Sequence, residues 1–149
     1  MKNLNFITLF CLVTFGGCQS KSPIFNADKA FNYLVKQCDF GPRDPGSIGH
    51  EKALEYYLAT FKNLADTVFT QSFDDKMPRT GAQVTMNNVI ARFNTSSPRQ
   101  IMISAHWDTR PWAENSSSVM RKNSPIIGAN DGASGVAVLL ELANVLHKN

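Results

Sequence analysis

The chain has 149 residues, room for one domain at most, and its 43% apolar and 18% charged content is that of a globular protein. A formal charge of +3 is too small to argue for nucleic acid or an acidic substrate. No Arg/Lys stripe with interleaved aromatics occurs, so no nucleic-acid partner is expected.

Lys2 precedes an apolar run from Phe6 to Phe15. The run is too short for a bilayer, which needs about twenty residues, and it matches the core of a signal peptide. Gly16-Gly17-Cys18 follows and resembles a bacterial lipobox, although Phe15 is an unusual residue in one. The expected organisation is a lipoprotein signal peptide over residues 1–17, a tether over 18–25 and a single domain over 26–149. Lipidation at Cys18 would anchor the protein to a membrane of the bacterial cell envelope, facing the periplasm or exterior; ordinary secretion is the alternative. Cys11 would leave with the leader, and Cys38 would stand alone and pack as a small apolar residue, so no disulfide framework is implied.

Asn26 is an expected N-cap for a helix from about Ala27 to Gln37, with Phe31, Leu34, Val35 and Cys38 on its inner face. Pro42, Pro45 and Gly46 make residues 40–46 a turn. A second helix is expected from near Ser47 to about Leu64, burying Leu54, Tyr57, Leu58 and Phe61. Strands are expected at Val68–Phe73, Met86–Asn94 and Gln100–Ala105, the last two as neighbours joined by a turn over Asn94–Pro98. The loop from Arg110 to Pro125 is longer than an ordinary connection, and such loops are commonly functional or mobile. A last helix runs from Gly132–Gly135 to about His147, with Val136, Leu139, Leu140, Ala143 and Leu146 on one face and Glu141 and Asn144 opposite. Helices alternating with strands predict an α/β sandwich.

Two motifs carry chemistry. His106-Trp107-Asp108-Thr109 closes the third apolar strand, and Gly128-Ala129-Asn130-Asp131-Gly132 forms a Gly-rich turn that opens the last helix. Zinc uses His nitrogen and carboxylate oxygen held by rigid elements, and strand ends are where sites in α/β sheets gather. On a strand His106 and Asp108 face the same side. Taken alone, Asp131 reads as a turn or N-cap residue, His106 as a hydrogen-bonded strand-end residue, and Asp108 as a surface turn residue. His50 and Glu51 lie near a helix start with no liganding partner at i+4, and are expected to be structural. His147 suits the dipole at a helix C-terminus. Glu141 is about 15 Å along the helix from Asp131 and cannot complete a site there. There is no nucleophile elbow, phosphate-binding loop or His-Glu-x-x-His.

The two motifs, with Gly41-Pro42-Arg43-Asp44-Pro45-Gly46-Ser47 and Asn87-Asn88-Val89-Ile90-Ala91, resemble in order those of the M28 zinc aminopeptidase family, most closely its bacterial glutaminyl cyclase branch. The resemblance runs from roughly Phe40 to Lys148. It implies an α/β three-layer sandwich with a mixed, mostly parallel sheet flanked by helices, incomplete in this chain. It implies Asp131 as a zinc ligand, often followed by a cis peptide bond, and Asp108 as the group that orients the metal site. His106 is a ligand only if a second metal site exists: one Zn2+ is expected for a cyclase, two for an aminopeptidase. Trp107 and Trp112 are candidate substrate-binding residues, and Trp112 serves equally well as a loop anchor. Glu114 reads as solvated loop charge.

The resemblance also implies a general-base Glu and further ligands beyond Asn149, so residues 1–149 alone are expected to be inactive, to bind zinc weakly and to fold poorly. Three functions are weighed. The first is cyclisation of N-terminal Gln on peptides or proteins, releasing ammonia. The second is zinc aminopeptidase hydrolysis. The third is a non-catalytic binding domain on the same scaffold.

Overall fold

The computed structural model describes residues 24–148. The signal peptide, the lipobox Cys18 and most of the tether lie outside the described residues.

Two capped helices come first. α1 spans Ala27–Asp39, and Asn26 caps it by accepting from the Lys29 amide. α2 spans Ile48–Lys62, capped in the same way by Ser47, which accepts from the His50 amide. Each cap satisfies an amide that has no partner within its helix. β1 (Thr67–Lys76) and β2 (Gln83–Arg92) then form an antiparallel hairpin whose register runs from Thr67 opposite Arg92 to Lys76 opposite Gln83. Its turn is closed by the Met77 amide on the Ala82 carbonyl and the Gly81 amide on the Met77 carbonyl, with Gly81 at φ +67. α3 spans Ser134–His147. Ala53, Tyr57, Phe61, Val136, Leu140 and Ala143 form the core where α2 meets α3, with Val68, Val89 and Ala91 of the hairpin packed against it.

Helices packed on a sheet give the α/β class expected, and four details differ. First, residues 101–105 form no strand, and β2 pairs with β1 instead. Ile101 and Ile103 face the same cavity as Val89, Ala91 and Phe93, but no backbone ladder joins the two segments. A strand exists through its ladder, and apolar content does not supply one. The only sheet among the described residues is therefore two-stranded and antiparallel. Second, β1 extends past the expected end at Phe73 through Asp74, Asp75 and Lys76, because the ladder continues there and Asp74 accepts from Thr85 across it at 2.8 Å. Asn94, expected where the strand passes into the turn, lies at φ +48 beyond the end of β2.

Third, the inner face of α1 is rotated. Phe31 and Val35 are exposed, while Ala30 and Gln37 are buried. Fourth, Glu141 and Asn144 are buried rather than outward, because α3 also packs on α1 through a polar seam. The Asn26 amide donates to Glu141 at 3.2 Å, the Lys29 ammonium meets Glu141 at 3.8 Å and donates to Asn144, and Asn144 donates to the Tyr33 hydroxyl at 2.8 Å. These partners lie over a hundred positions away, out of reach of helical periodicity.

Candidate functional site

The fold brings the two motifs together. The segment carrying His106 meets the turn Ala129–Ala133, which leads directly into α3. Asp131 breaks helical geometry within that turn (φ −110, ψ 86), and its peptide bond to Gly132 is cis, as the resemblance implies.

Two glycines permit the approach. A Cβ on Gly132 would stand 2.2 Å from the His106 carbonyl oxygen and 2.7 Å from its ring Cε1. At Gly128, φ is +61 and a Cβ would stand 2.2 Å from the Asp131 carbonyl oxygen. Side chains are excluded at both positions, so the backbone of one motif lies directly against the other.

His106 Nε2 stands 3.0 Å from Asp131 Oδ1, and both side chains remain about half exposed. On its other side, His106 Nδ1 is 3.2 Å from the Asp108 carbonyl oxygen and 3.7 Å from Asp108 Oδ1. Nδ1 therefore faces Asp108 and Nε2 faces Asp131, and the tautomer decides which of the two nitrogens donates. Arg110 reaches the second Asp131 oxygen at 3.9 Å and donates to Glu114 at 3.1 Å. A backbone hydrogen bond and that Arg110 contact hold the Glu114 carboxyl below the ordinary carboxylate range.

The donor set suits zinc in kind. Two ligands bound tetrahedrally at 2.0–2.2 Å stand about 3.4 Å apart, close to the separation of His106 Nε2 and Asp131 Oδ1. No group of three or more His, Cys, Asp or Glu that could hold a metal is gathered among the described residues. His106 and Asp131 stand as a pair, and Asp108 lies against the far side of the imidazole.

The two tryptophans differ in placement. Trp107 turns inward: its ring stacks on His50 at 4.2 Å, meets the Tyr57 ring edge-on at 5.5 Å, and its N–H donates to the Asn87 carbonyl at 3.0 Å. Trp112 lies half-buried in the loop after the site, with the Arg79 guanidinium of the hairpin turn 4.8 Å from its ring centre. That loop is irregular but stitched, with the Ile126 amide on the Arg110 carbonyl and the Ala113 amide on the Ser124 carbonyl.

His50, Arg43, Thr109 and Gln37 matter to the site; from sequence His50 is expected to be structural, and the other three carry no role of their own. His50 is buried, and it lines a cavity of about 100 Å3 together with His106, Trp107 and Asp108. Burial lowers its pKa below 6.5, against the upward pull of Asp108, Asp44 and Glu51. Arg43 is fully buried: Nε donates to the Trp107 carbonyl, Nη1 to those of Gln37 and Gly41, and Nη2 to that of Gly128. Its amide donates to Thr109 Oγ1 at 2.8 Å, and the Thr109 amide donates back to its carbonyl. Gln37 donates to the Ala133 carbonyl at the head of α3 and accepts from the Tyr57 hydroxyl at 2.7 Å. The only signal for Arg43 was its place in the Gly-Pro-Arg-Asp-Pro-Gly-Ser motif.

Residues 88–149 match the model of Peptidase family M28. Over 109 residues the chain is 31% identical to the glutaminyl-peptide cyclotransferase of Drosophila melanogaster, covering 72% of this chain and 27% of that one. Among solved structures it resembles a Bacteroides thetaiotaomicron glutaminyl cyclase bound to N-acetylhistamine (TM-score 0.80, 38% identity, 86% of this chain and 44% of that one). It also resembles a Zn-dependent exopeptidase from Parabacteroides distasonis (TM-score 0.81, 31% identity, 86% and 44%). The chain spans less than half the length of each.

Proposed function

We propose, from the match of residues 88–149 to the model of Peptidase family M28, that the whole protein is a zinc-dependent glutaminyl-peptide cyclotransferase of that family acting on peptides or proteins with N-terminal Gln. The observation that carries the reading is the likeness of most of this chain to glutaminyl cyclases of a bacterium and a fly.

In this reaction the α-amine of the N-terminal Gln forms a bond to its own side-chain carbonyl carbon. The bond from that carbon to the amide nitrogen breaks, and ammonia leaves with a proton drawn from the amine. A bound zinc supplies Lewis acidity toward the amide carbonyl. Asp131 is the ligand this chain provides, and Asp108 orients the site through the His106 imidazole. Arg110 holds the outer oxygen of Asp131, and Trp112 forms part of the wall beside the substrate. Trp107 supports the segment from beneath rather than facing the substrate.

Exopeptidase hydrolysis is the second reading. It is favoured by the direction of His106 Nε2, which points at Asp131 as a ligand to a second metal would. Residues 1–17 and Cys18 are read as a lipoprotein leader and its anchor, a proposal supported by sequence alone.

The test is to express the complete reading frame with zinc and follow a Gln-initiated peptide by mass spectrometry. Loss of ammonia with the chain intact is expected. Release of the first residue would overturn the cyclase reading in favour of the exopeptidase.

A further inference from the structure

We propose that Arg43 is a positioning residue that sets the approach of His106 to Asp131. Three observations converge on it. It is a fully buried cation that has no carboxylate partner among the described residues and donates to backbone carbonyl oxygens. A buried charge is costly and is held only where its hydrogen bonds are made, so the four carbonyls around it are fixed in place.

Second, its contacts fall where the site needs them. Nε and Nη2 form one edge of the planar guanidinium. Nε holds the Trp107 carbonyl at 3.1 Å, between His106 and Asp108. Nη2 holds the Gly128 carbonyl at 3.1 Å, at the mouth of the turn that carries Asp131. The same Gly128 oxygen accepts from the Ala133 amide at 3.1 Å, closing that turn. One rigid edge therefore spans the two motifs and fixes their spacing.

Third, the clamp is anchored. Nη1 holds the Gln37 carbonyl at 3.1 Å near the end of α1, the Arg43 amide donates to the Thr109 hydroxyl, and the Thr109 amide donates to the Arg43 carbonyl. A lysine would keep the charge, but its donors radiate from a single point and cannot bridge separated carbonyls along an edge.

The test compares Arg43→Lys and Arg43→Met with Leu140→Ala, a core control away from the site, in the complete protein. The first readout is the proton NOE between the His106 ring Hε1 and the Gly132 Hα, which reports the approach without metal or substrate. The second is zinc affinity by competition with a chromophoric chelator, corrected for the folded fraction. Both Arg43 variants are expected to lose the NOE and to bind zinc about 10–100-fold more weakly, the usual effect of disturbing the surroundings of metal ligands. Leu140→Ala is expected to lose stability alone. The zinc arm rests on the metal reading above and the NOE arm does not, so wild-type protein that binds no zinc leaves the NOE to decide.

Thr109→Val, which removes only the acceptor for the Arg43 amide, is expected to weaken both signals to a smaller extent and serves if the Arg43 variants do not fold. Variants that lose stability yet keep the NOE and the zinc affinity would overturn the proposal.

Discussion

The imidazole of His50 lies against the indole of Trp107, ring centres 4.2 Å apart and planes 28° apart. Trp107 stands between His106 and Asp108, so a residue at the start of α2 supports the site segment from below. Burial lowers the His50 pKa below the ordinary 6.5. The unfolded chain then takes up its proton first as pH falls, so stability is full above about pH 6.5 and is lost progressively down through the folded-state pKa. Urea midpoints measured for wild type and His50→Gln should differ by a constant above about pH 6.5, and the difference should shrink below it. A difference that does not vary with pH would show that His50 is not held neutral.

Gly132→Ala should damage the site directly. Its Cβ would fall 2.2 Å from the His106 carbonyl oxygen, a backbone atom that cannot swing aside. A cost of about 1–3 kcal/mol in stability is expected, as for other overpacked substitutions, together with a loss of activity larger than the loss of folded protein. Denaturation curves and turnover on the same sample separate the two.

Substitutions of His106 and Asp131 distinguish the two functional readings. Asp131→Asn should abolish zinc binding and turnover under either. His106→Ala should cost a cyclase about 10–100-fold, as a neighbour of the ligand set. In a two-zinc exopeptidase it should halve the bound zinc. Metal content measured beside the rate on a Gln-initiated peptide decides between them.

Tyr57→Phe tests the joint between the helices. The Tyr57 hydroxyl donates to Gln37 at 2.7 Å, and both side chains are fully buried. Burial pushes that hydroxyl far above its ordinary pKa of 10, so it stays protonated and able to donate at any pH the fold tolerates. Its removal leaves Gln37 Oε1 unpaired, and a loss of about 1–3 kcal/mol is expected by urea denaturation.

The parts of the fold legible in the sequence are those governed by neighbours in the chain. Asn26 was readable as the cap of α1, because a cap bonds an amide three positions on, and Ser47 as the place where α2 starts. Tyr57, Phe61 and Leu140 followed from helical spacing. The pairing of His106 with Asp131 was legible only because both motifs carried a family resemblance. The polar seam of Lys29, Glu141 and Asn144 was not legible, since its partners lie on another helix and leave no periodic trace. Arg43 was hidden for a related reason: its partners are carbonyls, which every residue type carries, so no side-chain pattern marks them. The third strand was lost because Ile101, Met102 and Ile103 look like a strand whether or not a neighbour pairs with them.

Those three residues govern how residues 1–149 by themselves will behave in the hand. Ile101 and Met102 are 90% and 91% exposed, Ile103 is 60% exposed, and no ladder occupies their backbone. A short, uncharged, β-prone run with free amides is a template on which a second molecule can add. Concentrated solutions of residues 1–149 would then lose material to intermolecular sheets before the helices melt. A lysine at Met102 would slow that loss while leaving the His106–Asp131 contact in place.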